Sequence, residues 1–266
     1  MLTLIRGAGD IASGIALRLW RSGIDVVMTD LARPTAIRRT VAFSDAIVHG
    51  ETAVEGLRAV RAEDAAQAKE LLRGRVIPVL PDPECVCRAA LVPDAQVDAI
   101  LAKRNLGTTI SDAPIVVGVG PGFTAGEDCH AVVETMRGHT LGRVIYQGSA
   151  LPNTNIPGLI GGFAGERVLR APCGGIFTAV HRIGDTVEEG ETVGYVDGVP
   201  MKCTIGGVLR GVLDDGVRVH AGMKSGDVDP RGRTEYCDTV SDKALAVGGG
   251  VLEAVLHLRA RAAGER

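Results

Sequence analysis

The sequence predicts an α/β protein, a Rossmann-like parallel-sheet domain followed by a small all-β domain. Three observations carry that expectation. The first thirty residues read strand, glycine loop, helix, strand, acid. Apolar runs near 76–80, 97–101 and 115–119 continue an alternating strand pattern, with a helical stretch at 62–72. Residues 174–197 recur at 206–229 with a constant offset of 32 and no gap. The expected boundaries are 1–168 for a nucleotide-binding domain, 169–233 for the β domain, and 234–266 for a C-terminal helix packing back on the first.

Leu2 to Ile5 is an apolar run suited to a buried parallel strand. Gly7, Gly9 and Ala12 then fit the glycine fingerprint of dinucleotide-binding loops. Gly7 would allow the tight turn, Gly9 the approach of a pyrophosphate, and Ala12 the close packing of helix on strand. Helical spacing continues past Gly14, and a helix N-terminus attracts anions. Asp10 sits in that first turn, where it either repels a phosphate or supports the helix. Asp30 follows the second strand, at the distance where an acid binds a ribose hydroxyl.

After the run at 115–119 comes a second glycine loop, in which Gly120 and Gly122 could present N–H groups to an anion or simply turn the chain. His130 and Glu134 lie in the polar stretch behind it. No pair has zinc spacing, so no metal site is expected. Cys85 and Cys87 follow the strand ending at Leu80, where open α/β sheets place ligands. They read either as sulfur-transfer thiols or as buried apolar ones. Lys103 completes the catalytic candidates, with Cys85, Cys87, His130 and Glu134.

The repeat pairs Gly174 with Gly206, Val187 with Val219 and Gly190 with Gly222. Two such short copies must pack on each other to bury a face. The turn Ile183 to Glu191 resembles that of biotinyl and lipoyl domains, so the expected fold is a barrel-sandwich hybrid. In those carriers a lysine at the hairpin tip holds the cofactor. Here the tip aligns with Gly198, and Lys202 lies nearer the second copy, so no covalent lipoyl or biotin is expected.

Composition narrows the functional classes. Net charge is −3 over 266 residues, with both signs interspersed, which argues against nucleic-acid or membrane-surface binding. No run approaches the roughly 18 apolar residues of a membrane span. The N-terminus has no basic region or cleavage site, and the six cysteines read as reduced thiols, so the expected location is the cytoplasm. Homo-oligomer formation is left open.

Longer strings resemble one family. They include Gly7 to Ala12, Ile37 to Ser44, Ala102 to Thr108, Gly120 to Gly126, Glu134 to His139, Leu141 to Ile145, Gly226 to Arg231 and Ser241 to Ala244. The chain resembles, over nearly its whole length, the selenium-dependent molybdenum hydroxylase system proteins of the YqeB family. The resemblance implies a role in maturing molybdenum hydroxylases, with such a hydroxylase as partner. The expected ligand is a dinucleotide, either NAD(P) or the nucleotide half of a molybdopterin dinucleotide. Two alternatives stay open, an NAD(P)-dependent oxidoreductase and a non-enzymatic chaperone or scaffold that docks the hydroxylase.

Overall fold

A computed structural model describes residues 1–154 and 156–264. The N-terminal lobe is built on β1 (Leu2–Arg6), α1 (Asp10–Arg21), β2 (Asp25–Thr29), α2 (Asp45–His49), β3 (Glu51–Val54), β4 (Leu57–Arg61), α3 (Ala65–Arg73), β5 (Ile77–Leu80), α4 (Arg88–Leu91), β6 (Ala95–Asp98) and β7 (Ile115–Val119). Short strands follow: β8 (Thr124–Ala125), β9 (Ala131–Val133), β10 (Val144–Ile145) and β11 (Gly148–Ser149). Strands order as β10-β9-β7-β6-β1-β2-β5-β4-β3 in one nine-stranded sheet. Alternation puts Ile5, Val26 and Met28 on the face covered by α1, while Leu4 and Val27 pack with Ala68 and Leu91 on the other.

This corrects the expected fold class. The sheet is mixed, because β3 runs antiparallel to β4 and β10 antiparallel to β9. Nor is it evenly wound with helices: the connections across 99–114 and 120–130 contain none. The missing cover comes from the far end of the chain. Helix α5 (Asp242–Ala262) lies across α1 and packs Val247, Val251 and Val255 into the same core. The crossing is close because glycines meet backbone there. A Cβ on Gly14 would lie 2.6 Å from the Ala244 Cβ, and one on Gly248 would lie 2.7 Å from the Gly14 carbonyl oxygen. Gly14 is therefore a helix-crossing residue rather than a phosphate-loop residue.

The second lobe holds β12 (Val168–Arg170), β13 (Gly175–Ala179), β14 (Thr186–Val187), β15 (Thr192–Val196), β16 (Val199–Lys202), β17 (Gly207–Val212), β18 (Arg218–Val219) and β19 (Lys224–Asp229). The offset of 32 relates the starts of β13 and β17, of β14 and β18, and of β15 and β19. The copies also exchange strands, with Gly175 paired to Val219 and Gly207 to Val187. The expectation of a biotinyl- or lipoyl-type barrel-sandwich hybrid is nevertheless corrected. The strands form two four-stranded antiparallel sheets, β12-β19-β17-β14 and β16-β15-β13-β18, and each takes a strand from outside the repeat. A tight turn at Asp197 and Gly198 joins β15 to β16, and Lys202 lies in β16 opposite Thr192.

Among the described residues, no helix is long and apolar enough to cross a membrane. The helix crossing gives a direct test of the packing. Gly14→Val should destabilise the protein by about 1–3 kcal/mol through overpacking. Gly9→Ala should be nearly neutral, since Gly9 has φ −69° and open space where a Cβ would stand. Urea denaturation of both variants checks this; equal midpoints would remove the crossing from the account.

Candidate functional site

The two lobes and the start of α5 enclose a cavity of about 870 Å³. It lies beyond the C-terminal ends of the central strands, beside β1, where the strand order turns back on itself. Eight of its lining residues are cationic and three acidic. Each of the three acids is already engaged. Asp10 faces Arg38 at 3.7 Å. Asp227 accepts from both Arg167 and Arg210. Glu134 accepts from the backbone N–H groups of Thr135, Met136 and Leu151 at 2.6–2.8 Å.

Strand β19 organises the cationic wall. Its Asp227 and Asp229 are each 1% exposed. Arg210 reaches from β17 to bridge the two, and Arg231 clasps Asp229 at 2.6–2.9 Å. Burial pushes the Asp229 carboxyl up, but the hydrogen bonds and charge of Arg231 and the charge of Arg210 outweigh it and hold it below its usual value. Arg38 and Arg167 are each 7% exposed, yet the Nε of each has no hydrogen-bond partner among the described residues.

Three lysines are different. Lys103 comes from the loop after β6, Lys224 from the start of β19, and Lys243 from the first turn of α5. Among the described residues none of their ammonium groups makes a hydrogen bond or an ion pair. Burial pushes all three below the usual lysine value. Lys224 lowers Lys103 further, and both lower Lys243. A depressed ammonium pKa means that the folded chain disfavours the charged form. Stability therefore rises with pH in the alkaline range between the lowered value and the ordinary 10.5. An entering anion relieves the same penalty at neutral pH.

The sequence candidates divide accordingly. Lys103, Glu134 and Asp10 line the cavity. Glu134 holds its loop in place through three backbone donors rather than facing a ligand. Gly7 makes a tight turn at φ +101°, where a Cβ would strike the Ala99 backbone at 2.9 Å. Ala12 is buried in the core. Asp30 braces the first loop, accepting from the N–H groups of Ala8 and Leu31 at 2.7 Å. Gly120 and Gly122 pack against Thr135 and the Arg104 backbone, leaving Pro121 at the cavity. His130 accepts from the Val116 N–H through Nδ1 at 3.0 Å, and burial lowers its pKa.

Cys85 and Cys87 lie away from the cavity, on the α3 face of the sheet. Cys85 is buried beside Thr29, and burial pushes its thiol up. Burial and Asp82 push Cys87 well above the usual thiol range. The thiolate is the reactive form, so these positions are suppressed. Arg38, which the sequence offered either as a phosphate reader or as an arginine of a solvated helix, lines the cavity, whereas sequence reasoning missed Arg137, Arg167, Arg170, Arg210, Lys224 and Lys243. One signal was available: Arg210, Lys224 and Asp227 replace Thr178, Thr192 and Tyr195 at the equivalent positions of the first copy.

No family model matches the chain. It is similar to the Escherichia coli (strain K12) protein named "Uncharacterized protein YqeB", with 51% identity over 257 residues, covering 97% of this chain and 48% of that protein. Among solved structures it is similar to an aspartoacylase family protein from Mesorhizobium loti, at 12% identity and TM-score 0.27, covering 87% of this chain and 86% of that one. A succinylglutamate desuccinylase/aspartoacylase from Rhodobacter sphaeroides gives 15% identity and TM-score 0.24, covering 85% and 86%. A succinylglutamate desuccinylase from Silicibacter sp. gives 12% and 0.27, covering 85% and 84%. At such scores these three similarities carry no argument.

Two measurements probe the site. Asp227→Asn should cost roughly 3–5 kcal/mol, because it leaves buried Arg167 without its counter-ion and Arg210 with Asp229 alone. A loss below about 1 kcal/mol in urea would show that the network is dispensable. Alkylation at pH 7 should label the half-buried Cys173 before Cys85 or Cys87, and faster labelling of the latter pair would contradict their placement. The Escherichia coli relative supports the YqeB family as this chain's kin, and the chain spans about half the length of that relative.

Proposed function

We propose that this chain binds a phosphorylated organic cofactor of nucleotide size in the cavity between its lobes, and thereby serves the maturation of selenium-dependent molybdenum hydroxylases. The observation that supports the binding reading is the cavity itself. Its three lysines lack partners among the described residues, and its acids are engaged by arginines and backbone. A volume of about 870 Å³ lies within the range typical of cofactor sites. The lining also carries Met136, Leu151, Ile156 and Leu159, apolar side chains suited to a flat heterocycle.

The maturation role rests on the family resemblance of the motif strings; the Escherichia coli relative supports the YqeB family and adds nothing about the role. A phosphorylated pterin, or its nucleotide derivative, combines the anionic and heterocyclic parts that the cationic and apolar lining residues suit. The β lobe is then part of the binding site rather than a scaffold, since it supplies Arg167, Arg170, Arg210 and Lys224. A cytoplasmic setting and a hydroxylase partner accompany the reading.

Mass spectrometry of small molecules released from the purified protein should detect a phosphorus-containing ligand. The double variant Lys103→Met/Lys243→Met should lose it. Recovery of none, together with no calorimetric binding of ADP, NAD⁺ or NADPH at millimolar concentration, would reject the proposal.

A further inference from the structure

Resting on that reading, we propose that the cavity is built for a terminal diphosphate, clamped by Lys103, Lys224 and Lys243. The argument is one of charge and placement. The arginines of the cavity are largely committed. Arg38 faces Asp10 and donates to the Tyr236 and Thr239 carbonyls. Arg137 makes a two-pronged pair with Asp242 at 2.7–2.9 Å. Arg167 and Arg210 share Asp227. Arg170 donates to the Gly222 carbonyl. The cations with no hydrogen bond or ion pair among the described residues are the lysine trio, and all three line the same cavity.

A single phosphate group carries about −1.5 to −2 charge and three strong acceptor oxygens. It does not match three ammonium groups that arrive from three separate elements. Two linked terminal phosphates roughly match the charge and span more of the floor. A bridging diphosphate, as in NAD⁺, has the span but less charge, because both ends are esterified. The order of preference is therefore a nucleoside diphosphate or inorganic pyrophosphate first, a dinucleotide second, and a monophosphate last.

The geometry gives the diphosphate a second task. Lys224 belongs to the β lobe, Lys103 to the sheet lobe and Lys243 to α5. A ligand held by all three ties the lobes and the C-terminal helix together. Apart from the ligand, the lobes are joined chiefly around 37–40, where Val212 donates to the Ile37 carbonyl and Arg39 to the Val212 carbonyl.

The test is calorimetric titration of the full chain with four probes, in EDTA and without divalent metal: inorganic phosphate, inorganic pyrophosphate, AMP and ADP. Pyrophosphate should bind about tenfold or more tightly than phosphate, and ADP than AMP. Binding at pH 9 should take up protons, read from buffers of different ionisation enthalpy, as the lysines regain their charge. Lys224→Met should reduce the ADP-to-AMP ratio to about one to three. If that strand variant does not fold, Lys103→Met in its loop should do the same. Equal affinity for phosphate and pyrophosphate, or an unchanged ratio in the folded variants, overturns the diphosphate assignment and leaves phosphate binding in place. Failure of all four probes to bind overturns both.

Discussion

The pairing of two buried carboxylates on β19 with Arg210 of β17 and with arginines from the turns before β12 and after β19 is the constraint from which the site follows. Asp227 and Asp229 face the same side of β19, two residues apart, and neither reaches solvent. Each must be matched, because an unpaired buried charge is costly. Arg167, Arg210 and Arg231 answer them, and the third arginine leaves an excess of positive charge. That excess is fixed in place beside the cavity. The unpaired lysines add to it rather than create it.

A second constraint brings the other half of the wall. Helix α5 reaches the cavity because the sheet lobe lacks helices of its own over β6 and β7, and a C-terminal helix fills the layer. Small residues let it lie close on α1 at Gly14 and Gly248. The depth of that crossing sets where Ser241 and Lys243 emerge. Ser241 accepts from the Ala244 N–H and fixes the first turn. Arg137 holds Asp242 at the next position, and its hydrogen bond pulls the Asp242 carboxyl down to about 2. The helix start is thus pinned from both sides of the cavity.

The internal repeat supplies scaffold and function unequally. Both copies keep the glycines that turn their strands, with φ +83° at Gly190 and +77° at Gly222. Only the second copy carries charge toward the cavity. Where β19 has Lys224 and Asp227, β15 has Thr192 and Tyr195. Duplication gave the packed pair of sheets, and divergence of one copy gave it a face for a ligand.

The sequence by itself determined the local pieces. The apolar run Ile115 to Val119 is β7 residue for residue, and the helix expected at 62–72 is α3 at Ala65–Arg73. The repeat was legible because glycines at a fixed offset mark turns that side chains would strain. What escaped was the direction of the edge strands, the hairpin β3–β4 and the helix-free crossovers, since apolar runs do not encode which neighbour they pair with. The glycine loop lies at the same end of the sheet as the cavity, but of Gly7, Gly9, Asp10, Ala12 and Gly14 only Asp10 lines it. Gly7 and Gly14 answer to backbone contacts with Ala99 and Ala244, both far away in sequence. The cationic cavity was invisible for the same reason. Its charges are scattered singly from Arg38 to Lys243 in a chain of net charge −3, and only folding brings them together.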